Sequence, residues 1–419
     1  MLLAHALSPV FLGDVLGRGP ILASALDAAC FVLIGLAIGL YDLDVVTRRE
    51  EVLRRAALAS VLAPLATLGL FYAVFYAPIG RRVVAQAMLL GFCGVVLIRA
   101  TLWAILGRRR RRVLFLGHGP LAEATVHALD HAESHPYEIV RHDLSTDPTA
   151  QAERVQDLVR TREIDEIVVP LDRRDQADLL PAIVRALPPG CRVTTEPDFH
   201  EDVFRRVPVL HVPPAWMLAG GVGNPRPAAD FAKRAGDIAL ALVLLVVSLP
   251  VAAFAALLVA LGGDGPVFFS QERVGRSGRL FRILKFRTMR TDAESTAAQW
   301  ARDEDPRCTP AGRVLRRTRI DELPQLINIL RGEMSFVGPR PERPEFTPQL
   351  EAAIPYYGFR HLVRPGLSGW AQIHYPYGSS VEDARHKLEL DLYYLRHRSL
   401  LLDVVILLRT ATRLTWGGR

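Results

Sequence analysis

The sequence predicts three parts in order: a membrane α-helical N-terminus, an α/β middle domain, and a mostly α C-terminal domain held to a membrane by an apolar segment of its own. Half of the 419 residues are hydrophobic and the mean hydropathy is +0.18, a balance that points toward a bilayer. The long apolar runs gather in the first hundred residues and again at Ile238 to Leu261. Between them a short apolar run, Val113 to Gly117, passes through a Gly-x-Gly pattern into a helical period.

Residues 1–107 make the first part. Three runs are long enough to cross a hydrocarbon core, at about 22–41, 55–76 and 84–106. Residues 1–18 are interrupted by His5, Pro9 and Asp14, which leaves a fourth span open, and no basic stretch precedes their apolar part as a cleaved signal requires. Arginine sets the orientation. Arg48, Arg49, Arg54 and Arg55 follow the first run and Arg108 to Arg112 follow the third, against Arg81 and Arg82 between, so the chain after residue 107 begins in the cytoplasm.

Residues 112–207 make the second part. The strand at Val113 runs into Gly117-His118-Gly119-Pro120-Leu121-Ala122 and then a helix, a Rossmann-like opening. Strand and helix signals continue at Glu166 to Pro170, Gln176 to Leu187 and Arg192 to Thr195. A lone G-x-G-x-x-A is weak evidence for a dinucleotide, and no acidic residue clearly ends a second strand, so the domain reads as structural or regulatory before it reads as a nucleotide site. Nucleotide-sugar dehydratases and epimerases of similar layout need Tyr-x-x-x-Lys, and lysine, found only at 233, 285 and 387, never has that neighbour. Cys30, Cys93, Cys191 and Cys308 are scattered without CxxC spacing, which excludes a disulfide framework and a zinc site.

Proline and glycine concentrate at 208–229, which reads as a linker to the third part, 230–419. The apolar run Ile238 to Leu261 is interrupted by Ser248-Leu249-Pro250 and has basic flanks on both sides, Lys233 and Arg234 before it and Arg273, Arg276, Arg279 and Arg282 after. A proline in mid-helix and positive charge at both ends fit a segment that enters and leaves by one face, over about 236–262. Residues 380–396 read as a polar, surface-lying helix; 399–416, with Asp403 inside, read as an amphipathic interface helix or a core helix.

The chain is organised around residues 313–346. Leu323, Leu326, Ile327 and Leu330 give a short amphipathic helix, with Asp321 where an N-cap belongs, Pro324 in the first turn and Gly332 at the stop. That start sets Asp321 and Glu322 beside free N–H groups and behind Arg316, Arg317 and Arg319, a place that attracts phosphate. The plainer reading is an ordinary helix cap. Gly338-Pro339-Arg340-Pro341-Glu342-Arg343-Pro344 then forms a stiff turn that holds guanidinium groups in place beforehand.

This block resembles the core of bacterial polyprenyl-phosphate glycosylphosphotransferases, the sugar transferases that initiate exopolysaccharide and O-antigen synthesis, in the long form with N-terminal membrane helices. The likeness extends through Gln271-Glu272-Arg273-Val274-Gly275, Leu284-Lys285-Phe286-Arg287-Thr288-Met289, Arg364-Pro365-Gly366-Leu367-Ser368-Gly369-Trp370-Ala371-Gln372 and Asp391-Leu392-Tyr393-Tyr394. The resemblance implies a monotopic catalytic domain with a re-entrant membrane helix. It implies transfer of a sugar 1-phosphate from a UDP-sugar to undecaprenyl phosphate with release of UMP, at the cytoplasmic face of the bacterial inner membrane among its lipids. By the same resemblance Asp321 is the nucleophile, Glu322 helps hold Mg2+, and Lys285, Arg317 and Arg340 grip the diphosphate, with Arg343, Arg287 and Glu272 as further candidates. Long members usually carry four N-terminal helices, a count this beginning does not reach. A homodimer is among the assemblies the reading allows.

Two other classes stay open. One is a membrane-tethered nucleotide-binding regulator of polysaccharide synthesis working through the middle domain. The other, suggested by the net charge of +7, is nucleic-acid binding; it is weakest, because the arginines cluster at membrane flanks and around the acidic pair.

Overall fold

The computed structural model describes residues 28–40, 49–75, 93–94, 96–97, 101, 110–117, 119–131, 135–142, 148–170, 187, 190–262, 265–290, 306–376, 378 and 380–416. The chain divides into two compact units, Met1–His118 with Ala124–Val168 and Arg173–Val193, and Gly119–Glu123 with Val169–Asp172 and Thr194–Arg419.

In the first unit, helix α1 (Ala28–Ala37) covers part of the first expected span. Helix α2 (Arg49–Phe75) covers the second and runs through Pro64. Most of the third expected span, the start of the first, and the arginines at 48, 81, 82, 108 and 109 lie outside the described residues. Strands β1 (Arg111–Leu116), β2 (Tyr137–His142), β3 (Glu166–Val169) and β4 (Arg192–Thr195) form a sheet in the order β2-β1-β3-β4. β1 runs parallel to β2 and to β3. Its Val113, Leu114, Phe115 and Leu116 are all buried, the unbroken apolar run of a central parallel strand. The chain leaves β1 at Gly117 with φ 87, a conformation that costs glycine little. Helices α3 (Pro120–Asp130) and α4 (Pro148–Arg162) follow β1 and β2; the helix expected at 176–187 lies outside the described residues but for its last position.

The second unit carries the expected acidic block. Its helices are α5 (Glu196–Phe204), α6 (Pro214–Ala219) and α7 (Pro227–Leu261). An antiparallel hairpin follows, β5 (Phe268–Val274) and β6 (Leu280–Phe286), then α8 (Pro310–Arg317) and α9 (Gln325–Arg331). Strand β7 (Ser335–Val337) pairs in parallel with β8 (Gly366–Ser368), with α10 (Thr347–Ala353) between them. Helices α11 (Trp370–His374), α12 (Val381–His397) and α13 (Leu400–Trp416) close the unit.

Two local expectations are overturned here. The stretch rich in proline and glycine is packed: Val207, Val209, Val212, Trp216, Met217 and Val222 join Ile329, Met334, Tyr357 and Trp370 in one core. Turn-forming residues describe the path of this stretch and say nothing of the valines and aromatics set between them. Arg396 lies 3.8 Å over the Trp216 ring and pairs with Glu201 at 3.0 Å, and Tyr356 donates to Val212 O. Helix α12 is a core helix, because Leu388, Leu390, Leu392, Tyr394 and Leu395 are buried along with Glu389 and Asp391; its polar first turns mask that in the sequence. Helix α7 is continuous through Pro250 over 35 residues.

Helix α7 is covered only at its ends. Asp237 and Ala241 are buried at one end, Ala255 and Val259 at the other, and nothing from 242 to 254 is buried. Arg234 donates to Ile329 O at 2.6 Å and Leu330 O at 2.9 Å, while Asp237 accepts from Phe336 N. At the far end Ala255 and Val259 cluster with Phe286 and Leu315, and Arg287 donates to Val259 O.

Candidate active site

The acidic pair sits in a tight turn between α8 and α9. Thr309 caps α8, accepting from Gly312 N at 3.0 Å. Gly312 is needed there, since a Cβ would fall 2.0 Å from Thr288 O. After Thr318 the chain reverses at Arg319, φ 58, ψ 13, a left-handed conformation that costs a non-glycine residue energy and is common where function demands it. Ile320–Glu322 then form a 3-10 turn, and α9 begins only at Gln325. This corrects the expected N-cap. Glu322 N and Leu323 N are already bonded to Arg319 O and Ile320 O, Pro324 has no N–H, and the cap position falls at Pro324 with no side-chain cap bond, so Asp321 does not cap the helix.

Cationic side chains converge on Glu322. Its Oε1 lies 3.2 Å from Lys285 Nζ, 3.6 Å from Arg319 Nη1 and 3.6 Å from Arg340 Nη2. Burial alone pushes the Glu322 carboxyl up, but Lys285, Arg340 and Arg319 outweigh it and bring it to about 2. Asp321 differs. It is 5% exposed, its Oδ1 has no hydrogen-bond partner among the described residues, and burial together with the Glu322 charge holds its carboxyl above the usual range despite Lys285, Arg316 and Arg319. One turn on, Gln325 is 2% exposed with an equally unpartnered Nε2. A buried polar atom left unpaired is costly, and Asp321 and Gln325 place two of them one helical turn apart beside the cations around Glu322.

Rigid neighbours fix the pair. Asn328, three residues beyond Gln325, binds β6 on both sides, accepting from Leu284 N at 3.0 Å and donating to Arg282 O at 2.8 Å. This seats α9 on the strand that carries Lys285. Gly338 and Gly366 bring β7 and β8 into backbone contact, where a Cβ on Gly366 would stand 2.1 Å from Gly338 N. The Arg340 turn leaves from that contact.

Of the residues singled out in the sequence, the structure brings together Asp321, Glu322, Lys285 and Arg340. It does not bring the other four to the pair. Arg317 is exposed at the end of α8, and among the described residues it makes no ion pair with either carboxylate. Arg343 is buried against Glu345 and the Phe346 ring. Arg287 is buried and anchors the end of α7. Glu272 pairs across the hairpin with Arg282 at 3.9 Å, both exposed. From the sequence, Arg319 is named only as one of three arginines ahead of the pair and Gln325 is not singled out; the i, i+3 spacing from Arg319 to Glu322 was the available signal for the first.

Residues 228–417 match the family described as bacterial sugar transferase. The chain is 42% identical over 199 residues to the UDP-glucose:undecaprenyl-phosphate glucose-1-phosphate transferase of Caulobacter vibrioides, a match that covers 47% of this chain and 74% of that protein. The chain belongs to the bacterial sugar transferase family. It is also 46% identical over 193 residues to the UDP-N-acetylgalactosamine-undecaprenyl-phosphate N-acetylgalactosaminephosphotransferase of Aeromonas hydrophila, covering 46% of each chain. A third relative, the UDP-glucose:undecaprenyl-phosphate glucose-1-phosphate transferase of Escherichia coli, is 42% identical over 180 residues, 42% of this chain and 39% of that protein. The match thus spans less than half the length of these last two relatives. The family match, residues 228–417, lies within the second unit and contains Lys285 and Glu322.

Proposed function

We propose that this protein transfers a sugar 1-phosphate from a UDP-sugar to undecaprenyl phosphate, releasing UMP, as an early membrane step of exopolysaccharide or O-antigen synthesis. The observation that carries the proposal is the contrast within the acidic pair: Glu322 is ringed by three cations, while Asp321 beside it is buried with an unpartnered oxygen.

Both substrates are anions, so charge repulsion is the main obstacle to phosphoryl transfer. Lys285, Arg319 and Arg340, gathered by Glu322, grip the donor's diphosphate and lower that repulsion. The ionised Asp321 carboxylate attacks the β-phosphorus, the bond to the bridging oxygen breaks, and UMP departs with that electron pair. An oxygen of the lipid phosphate then attacks the same phosphorus, Asp321 leaves as carboxylate, and the sugar diphosphate remains on the lipid. A carboxylate beside donor phosphates suits Mg2+: Glu322 would help hold the ion, and it would neutralise diphosphate charge.

The stretch of α7 without a fully buried residue, 242–254, is about 20 Å long at about 1.5 Å per residue, short of a hydrocarbon core of about 30 Å, and Leu245 and Ala252 within it still pack partly against the unit. Because both ends of α7 dock on one unit, this supports a helix held at one face of the inner membrane, with Pro250 removing a backbone bond in mid-helix where a bend costs least. The active site then stays at the cytoplasmic face, beside the lipid phosphate. The relatives' names divide between glucose and N-acetylgalactosamine, so the donor is assigned only as a UDP-sugar.

The test is UMP release by purified full-length protein with undecaprenyl phosphate and a panel of UDP-sugars, set beside Asp321→Asn. The variant is expected to fold and to lose at least about 1000-fold in turnover, the scale of removing a reacting group. Near-normal UMP release by a folded Asn variant would overturn the nucleophile assignment.

A further inference from the structure

The turn that presents Arg340 is short of hydrogen-bond donors. Pro339, Pro341 and Pro344 have no N–H, so the turn can be anchored chiefly through its carbonyls. Four consecutive carbonyls are taken. Gly366 N donates to Pro339 O at 2.9 Å and Val274 N to Glu342 O at 2.9 Å. Between these, Arg360 Nη2 donates to Arg340 O at 3.0 Å and Arg273 Nη1 to Pro341 O at 3.3 Å. The two central bonds therefore come from guanidinium groups, one of them deep in the core.

Arg360 is 8% exposed, and its Nη2 also donates to Asp391 Oδ2 at 3.0 Å, a carboxylate whose side chain is 2% exposed. Its Nη1 donates to the buried Tyr357 hydroxyl. A buried ion pair is a poor way to gain stability, because desolvation consumes most of the attraction and an apolar pair of the same volume serves as well or better. What an apolar pair cannot do is hand an N–H to the Arg340 carbonyl. Arginine suits that task, since its planar fork serves three acceptors at once where an ammonium is a point charge.

We propose that Arg360, held by Asp391, is a positioning residue for the transfer reaction: it fixes the backbone of Arg340 so that the Arg340 guanidinium stands at the acidic pair before the donor arrives. The inference rests on the reaction proposed above. Arg340 Nη2 sits 3.6 Å from Glu322 Oε1, and a turn free to shift by an ångström would have to be ordered on binding instead. Asp391 fills a place in the Asp391-Leu392-Tyr393-Tyr394 motif that the chemistry around Asp321 leaves without a part.

The test is a double-mutant cycle on the full-length protein, read by donor KM, kcat and thermal unfolding. Replacing the pair together, Arg360→Met with Asp391→Leu, leaves no buried charge unpaired; the Tyr357 hydroxyl and the Arg340 carbonyl lose a donor, so the unfolding temperature is expected to fall modestly, with the protein still folded at the assay temperature. Donor kcat/KM should fall at least tenfold, mostly through KM. Arg340→Ala should then cost at least tenfold less in this background than in the unaltered protein, because a displaced Arg340 has little left to lose. A full, additive cost of Arg340→Ala would overturn the proposal, as would unchanged donor KM. Should the double replacement fail to fold, Arg360→Lys keeps the charge pair with Asp391 and is expected to raise donor KM with the same non-additivity; unchanged KM there overturns the proposal equally. Asp321→Asn separates the two levels: normal UMP release by that variant sinks the reaction itself, whereas an inactive Asn variant beside unaffected clamp variants sinks only the positioning role.

Discussion

Met217→Ala measures whether the stretch rich in proline and glycine before α7 is a tether or a wall of the catalytic unit. Met217 is 0% exposed, whereas Leu218 beside it is 67% exposed on the same short helix. Truncating a buried methionine costs about 2–5 kcal/mol, and surface changes stay within about 0.5 kcal/mol. At about 2–4 °C per kcal/mol for a unit of this size, Met217→Ala is expected to lower the unfolding temperature by about 4–20 °C, and Leu218→Ala by no more than about 2 °C. The assay is thermal unfolding of the detergent-solubilised full-length protein, followed by tryptophan fluorescence and by loss of UMP release. Trp216 and Trp370, both in the affected core, report on it directly. Equal, small effects of the two substitutions would refute the packing argument. The same reasoning applies to fragments: one starting at Pro225 keeps every site residue but discards six buried core side chains, and is expected to unfold at a lower temperature than the full-length protein.

Two further outcomes follow from the site. Because burial and the Glu322 charge raise the Asp321 carboxyl, single-turnover UMP release should begin to fall on acidification above about pH 3.9, where a free aspartate titrates; a midpoint at or below that of a free aspartate would exclude a raised Asp321 as the ionised nucleophile. For the membrane arrangement, single cysteines at Asn224→Cys and Ser277→Cys, in a background without Cys30, Cys93, Cys191 and Cys308, should both be shielded from an impermeant thiol reagent in intact cells and both react once the membrane is opened. Labelling at position 277 alone from outside would mean that α7 crosses.

Much of this molecule is legible in order along the chain. Apolar runs, the β1 strand with its glycine turn, the acidic pair and the proline-arginine turn are patterns of neighbouring residues, and neighbouring residues are what a sequence displays. Lys285 and Arg340 could be named because each stands inside a recognisable motif. Arg317 and Arg319 could not be ranked in the same way, since a left-handed residue at 319 decides which of them faces Glu322, and φ is not written in composition. Arg287, Arg343 and Glu272 show the same limit: each is a charge in a plausible motif, and each is committed to a structural partner brought from elsewhere in the unit.

By itself the sequence determined that an acidic pair lies among cations behind a stiff arginine turn and beside an apolar segment with basic flanks. Only the tertiary structure decided that Glu322 is paired with three cations while Asp321 is buried with an unpartnered oxygen, that α7 docks at both ends on one unit, and that the Arg340 carbonyl is bonded by Arg360, itself paired with Asp391. The physical reason is distance along the chain. Glu322 meets Lys285 across 37 positions and Arg360 meets Asp391 across 31, so burial and partner choice were settled by packing.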